Sequence, residues 1–257
     1  MNRSKNTEAV ILSLRSSGEN NTAVTLLTPE EGILYATLYG GPKSRLRSYV
    51  TQWNSGQIWL YSNPEKNQIK ISDFEVKKYH ESFQTNLFKF YAASLASELA
   101  IKTRAAGSPS LCYRLLNGFL DGMELCNEEQ SRLGLIRFLW RFLELLGIQP
   151  PVHACGSCGR SFLDKNFSRE GFATEGKSYY NINENNFICS DCGQGNFSLN
   201  NSALQYLAAL SVLSPAEARK LQISKEGFEQ IKDILFFLIE NSLEGKLSSI
   251  ESGMGIL

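Results

Sequence analysis

The stretch Thr22-Ala23-Val24-Thr25-Leu26-Leu27-Thr28-Pro29-Glu30-Glu31-Gly32-Ile33-Leu34-Tyr35-Ala36-Thr37-Leu38-Tyr39 reads as two strands joined by a turn. Both flanks are rich in β-branched, aliphatic and aromatic residues and are long enough only for strands, while Pro29 and Gly32 punctuate the middle. Working outward, Glu8 to Arg15 precedes this pair, and Gln57 to Tyr61 and Gln68 to Val76 follow it with the same character. Further turn signals stand at Ser17-Gly18-Glu19-Asn20-Asn21 and Ser62-Asn63-Pro64-Glu65. Five strands in residues 1–80 leave no room for crossover helices, so the expectation is a small antiparallel barrel, for which the five-stranded oligonucleotide/oligosaccharide-binding (OB) type is one candidate.

Beyond residue 82 the apolar period changes from strand-like to helical. Phe83, Leu87, Phe90, Tyr91, Leu95 and Leu99 fall mostly at i, i+3, i+4 and i+7. Leu111 to Met123 and Ser131 to Leu146 continue in this way, and Gly147 with Pro150-Pro151 supplies a stop. Helices resume at Ala203 to Val212, Pro215 to Leu221 and Gly227 to Leu243, with Ser214-Pro215 and Ser224 as N-terminal signals. The tail from Glu244 to Leu257 is expected to fray. The fold class expected is α+β multidomain. Residues 1–80 form the barrel, 81–150 the first part of an all-α domain, 151–197 a cysteine-bearing insert and 198–257 the second helical part.

Inside the insert, Cys155-Gly156-Ser157-Cys158-Gly159 and Cys189-Ser190-Asp191-Cys192-Gly193 repeat one pattern. Cys-x-x-Cys lets two thiolates from one tight turn reach the same ion, and two such turns complete a tetrahedron. The glycine after each second cysteine frees the backbone for a positive φ. The separation of the pairs exceeds that of a compact ribbon, but loop closure costs only about 0.6 kcal/mol per doubling of length. Phe162, Phe167, Phe172, Tyr179, Tyr180 and Phe187 offer apolar cover for the insert. The expectation is a four-cysteine zinc ribbon holding one structural Zn²⁺ on Cys155, Cys158, Cys189 and Cys192, because four thiolates leave no open position for catalysis. A redox role lacks the βαβ context it needs. Cys112 and Cys126 read as core thiols and His153 as a surface residue.

Of 257 residues, 42% are hydrophobic and 20% charged, the balance of a globular protein, and 26 basic against 26 acidic side chains give a net charge of zero. No signal peptide or membrane span is legible, and the chain reads as cytoplasmic. Charge is unevenly spread: residues 1–80 carry ten Lys/Arg against seven Asp/Glu, hence +3, and residues 196–257 carry five against seven, hence −2. A nucleic-acid surface would therefore lie towards the N-terminus. With His80 and His153 as the only histidines, zincin and zinc-deaminase motifs are absent, and Gly40-Gly41-Pro42-Lys43-Ser44 lacks the glycine a phosphate-binding loop places before its lysine. No catalytic residue is assigned, and the expectation is a protein that is not an enzyme. A zinc-stabilised enzyme with scattered carboxylates is the third of three readings.

Lys43, Arg45 and Arg47 put three positive charges directly after the third strand, where a phosphate backbone could lie along them. Tyr39 and Trp53 flank this cluster and could stack on unpaired bases, as could Tyr35, Tyr49 and Trp59. The same residues would serve equally as a solvated turn with its rings filling the barrel.

Taken in order, Glu8-Ala9-Val10-Ile11-Leu12, Gly18-Glu19, Thr28 with Gly32, Gly40 to Arg47, Leu95-Ala96-Ser97-Glu98-Leu99, and Phe138 to Gly147 with Pro150 leading into Cys155-Gly156-Ser157-Cys158-Gly159 resemble the bacterial RecO family of recombination mediators. The resemblance spans most of the chain. It implies an N-terminal OB barrel, a helical domain and a zinc-binding element between helices. It also implies binding of single- and double-stranded DNA, annealing of complementary strands, a RecR-type ring partner, contact with single-strand-binding protein and indirect help in loading a recombinase. The competing reading is a zinc-ribbon interaction module of a replication or transcription assembly that does not touch DNA.

Overall fold

A computed structural model describes residues 3–40, 44–162, 176–243 and 245–257. Its contacts divide the chain into two units, Met1–Leu135 with Lys246–Leu257, and Ile136–Gly245.

The first unit begins with five strands: β1 (Ser4–Ser17), β2 (Asn21–Thr28), β3 (Gly32–Tyr39), β4 (Ser55–Asn63) and β5 (Gln68–Lys78). A five-residue helix, α1 (Arg45–Tyr49), lies between β3 and β4. The strands close in the order β1-β2-β3-β5-β4. Four ladders are antiparallel, but β3 and β5 meet in parallel at Thr37 and Lys70. An odd number of strands cannot close by alternation alone, so the expected five-stranded antiparallel barrel carries one parallel ladder where it closes. Period-two side chains fill the interior: Ala9, Ile11, Val24, Leu26, Ala36, Leu38, Ile58, Leu60, Ile71 and Phe74 form its core, with Leu46 and Tyr49 of α1 packed against it.

Helices complete this unit: α2 (Leu87–Lys102), α3 (Pro109–Leu125) and the start of α4 (Glu128–Leu145). The helical period visible from Phe83 begins as a 3-10 turn, Glu81–Gln84, because Asn86 caps α2 by accepting the Lys89 N–H at 2.9 Å. Buried His80 ties the barrel to α3: Nδ1 lies 2.8 Å from the Trp53 carbonyl and Nε2 lies 3.0 Å from Asp121.

The C-terminal tail is ordered where fraying was expected. It forms α8 (Ser248–Ser252), buries Leu247 and docks on Glu98 of α2. That carboxylate accepts the Ser248 N–H at 3.1 Å, the Ser249 N–H at 2.9 Å and the Ser249 hydroxyl at 2.7 Å. Capping by a distant acidic side chain satisfies a helix start that the local sequence leaves bare.

The second unit combines the end of α4 with α5 (Asn201–Val212), α6 (Pro215–Ala218), α7 (Lys225–Ser242) and a small sheet of order β7-β6-β8, from β6 (Lys177–Asn181), β7 (Asn186–Cys189) and β8 (Phe197–Asn200). Trp140 of α4 is buried and donates its indole N–H to Ser211 of α5 at 3.1 Å. Tyr206 accepts from Arg137 at 3.1 Å. Ser214 and Ser224 cap as their sequence positions suggest, Ser214 in a full capping box with Glu217. The helical run expected to reach Leu221 ends as α-helix at Ala218.

Candidate metal centre and nucleic-acid interface

The two cysteine pairs are carried by two turns that the backbone brings together. In the first, the Gly159 N–H donates to the Cys155 carbonyl at 2.9 Å; in the second, the Cys192 N–H donates to that of Cys189 at 3.0 Å. Gly159 at φ 71° and Gly193 at φ 149° occupy backbone that a Cβ would strain, as the two Cys-x-x-Cys-Gly patterns imply. A Gly156 N–H bond to the Phe187 carbonyl at 2.8 Å locks the first turn to β7. Gly156 is needed for the fit, since a Cβ there would come within 2.2 Å of the Asn186 amide.

As a result the Sγ atoms of Cys155, Cys158, Cys189 and Cys192 all lie within 4.8 Å of one another, a set able to hold one metal ion. Burial works against a Cys155 thiolate, but N–H groups of Cys158, Cys189 and Ser157 point at its sulfur and bring it down to about 6. Hydrogen bonds that the Cys192 thiol donates to the sulfurs of Cys158 and Cys189 push it up to about 12. Four sulfurs this close cannot all ionise side by side without a cation among them, and soft, thiolate-rich tetrahedra suit Zn²⁺. The Arg160–Asp191 ion pair joins the turns at the surface. His153 is exposed and outside this set. Phe167 and Phe172 lie outside the described residues.

The residues expected to meet DNA separate into three environments. Lys43 lies outside the described residues, with Gly41 and Pro42. Arg45 and Arg47 sit on α1, where the exposed Arg45 donates from Nε to the Tyr49 hydroxyl at 3.2 Å. Tyr39 is 39% exposed at the end of β3. Trp53 does not belong with them. It is 3% exposed, donates its indole N–H to Ser97 at 3.1 Å and packs edge-on against Phe83 and Phe90. No face of it is free for a base, so the expectation of stacking at Trp53 is corrected to a core role.

Two cations not singled out from the sequence join Tyr39. Arg15 pairs with Ala23, Ala23 with Thr37 and Thr37 with Lys70, so one register row crosses β1, β2, β3 and β5 on the outside of the barrel. Tyr35, 67% exposed, and Tyr39 lie two residues either side of Thr37 and share its face. The Lys70 ammonium stands 4.8 Å from the centre of the Tyr39 ring. Lys70 was invisible as a member of this face because its place follows from the parallel closure, which no local pattern encodes.

Comparison with known proteins gives two family matches in tandem: residues 1–80 match the N-terminal domain of recombination protein O, and residues 84–251 match its C-terminal domain. The chain belongs to the RecO family. Among RecO relatives, a DNA repair protein RecO from Syntrophobacter fumaroxidans is 30% identical over 156 residues, covering 60% of this chain and 62% of that protein. One from Heliobacterium modesticaldum is 30% identical over 154 residues, with 59% and 55% covered. One from Bacillus pumilus is 26% identical over 221 residues, with 84% and 75% covered. The matched stretches thus span about three fifths of the length of the first two RecO relatives. Among the described residues, no helix is long and apolar enough to cross a membrane.

Proposed function

We propose that this chain is a cytoplasmic, non-enzymatic DNA repair and recombination mediator that binds single- and double-stranded DNA through its barrel, promotes annealing of complementary strands and assists recombinase loading on coated single strands. The observation that carries the reading is the outward row from Arg15 to Lys70 with Tyr35 and Tyr39 beside it, since cations for phosphate and open rings for bases are what a single strand needs. Lys43, Arg45 and Arg47 follow β3 in the sequence and are proposed to add phosphate contacts. A RecR-type ring partner and single-strand-binding protein are the proposed protein partners, in keeping with the family. The four cysteines hold one structural Zn²⁺, which supplies a crosslink between the two turns and no reaction chemistry.

Fluorescence anisotropy of a labelled oligo(dT) against the full chain at two salt concentrations tests this. Binding should weaken steeply with salt, and Lys43→Ala/Arg45→Ala/Arg47→Ala should weaken it further at low salt. Undiminished low-salt affinity in the triple variant would count against the basic loop, and no binding by the unaltered chain would count against the whole reading.

A further inference from the structure

The outer surface of the barrel has a second side of opposite character. Asn6 pairs with Trp59 and Trp59 with Asp73; Glu8 pairs with Gln57 and Gln57 with Glu75. These two rows place Asp73 and Glu75 beside Trp59 on the outside of β4 and β5. The helix α1 rises next to them, and between the two lies an open groove of about 650 Å³ walled by Arg45, Tyr49, Trp59, Asp73, Glu75 and Tyr79. Three aromatic residues and two acidic ones therefore line one space.

We infer that this groove is a docking site for an arginine-bearing segment of a partner protein, bordered by the basic loop at Arg45 and apart from the Arg15–Lys70 row. Rings with negative faces and carboxylates at a groove edge attract a guanidinium through cation–π and ionic contact together. The chain's own Arg45 illustrates the chemistry at one end: its guanidinium bonds the Tyr49 hydroxyl and lies 5.6 Å from that ring's centre. The Asp73 carboxylate also attracts the Arg45 guanidinium, which leaves Glu75 as the uncommitted charge. The Glu75 side chain makes no ion pair or hydrogen bond among the described residues, and the Asp73 carboxylate accepts the Phe74 N–H at 2.9 Å. A phosphate chain would meet repulsion from both carboxylates, whereas a basic peptide is complementary to them.

The test is a titration of the full chain, ¹⁵N-labelled, with the peptide acetyl-Gly-Arg-Gly-Arg-Gly-amide and its counterpart carrying citrulline for arginine. Of the three tryptophans, Trp53 and Trp140 are buried at 3% and 0% exposure, so the Trp59 indole N–H, assigned with Trp59→Phe, is the groove's reporter. The arginine peptide should shift that signal saturably, with the citrulline peptide about tenfold weaker. Asp73→Asn/Glu75→Gln should abolish the difference between peptides while leaving oligo(dT) affinity within about twofold. Tyr79→Ala, which removes a wall without changing charge, should weaken both peptides. Equal binding of the two peptides, discrimination that survives the double variant, or a Trp59 shift produced by oligo(dT) at lower concentration than by the arginine peptide would each overturn the proposal.

Discussion

Trp53 is held at φ 68°, its backbone N–H 2.7 Å from the Ile11 carbonyl and its indole N–H bonded to Ser97. A ring this enclosed acts on stability. Trp53→Ala should cost about 3–5 kcal/mol through the cavity left against Phe83 and Phe90. Trp53→Phe should cost about 1 kcal/mol, chiefly by leaving the Ser97 hydroxyl without its donor. Urea unfolding checks both values, and the folded Trp53→Phe protein should bind oligo(dT) as before; weakened binding would return the ring to the DNA surface. Tyr35 and Tyr39 act oppositely: each replaced by Ala should cost about 1–3 kcal/mol of single-strand affinity if a base stacks on it, with little change in unfolding midpoint. Sequence could place all these rings near the basic loop but could not sort them. Alternation on β3 puts Tyr35 and Tyr39 outside, whereas Trp53 lies in the connection after α1, where no period applies and the partner Ser97 is 44 residues away.

At the scale of elements, α8 depends on Glu98. Burial pulls this carboxyl up, but the hydrogen bonds from Ser249, Lys102 and Ser248 outweigh it and hold it below its ordinary value near 4.5. A lowered folded-state pKa means that its contribution is present above the unfolded value and is lost as pH falls through the folded one. Docking of residues 246–257 should therefore be intact at neutral pH and released only in acid. Glu98→Ala should release it at pH 7 at a cost of about 2 kcal/mol, seen as faster amide exchange confined to the tail. Unchanged protection in that variant would contradict the docking. The tail's order was not legible because its cap comes from 150 residues earlier in the chain. The cysteine turns were legible throughout, since spacing and flanking glycines are local. Metal analysis under reducing conditions without chelator should find one zinc per chain, and X-ray absorption should find four sulfur neighbours. Cys189→Ser should lower the metal content and loosen β6–β8 while the barrel's unfolding is unaffected. Metal-free protein from that preparation would refute the centre.

For the whole molecule, a net charge of zero conceals a barrel with two unlike sides. Arg15 and Lys70 lie on the row that crosses β1, β2, β3 and β5, and Asp73 and Glu75 lie beside Trp59. The surplus of three positive charges in residues 1–80 was readable from composition, ten basic against seven acidic. Its division between sides was not, because it follows from strand register. On this account DNA lies on the Arg15–Lys70 side. The most direct test is the slope of log affinity against log salt for oligo(dT), measured for the unaltered chain and for Arg15→Ala/Lys70→Ala. If both cations meet phosphates, the slope should fall in magnitude by about 1.4, at roughly 0.7 per phosphate contact on a single strand. An unchanged slope and affinity would place the DNA elsewhere.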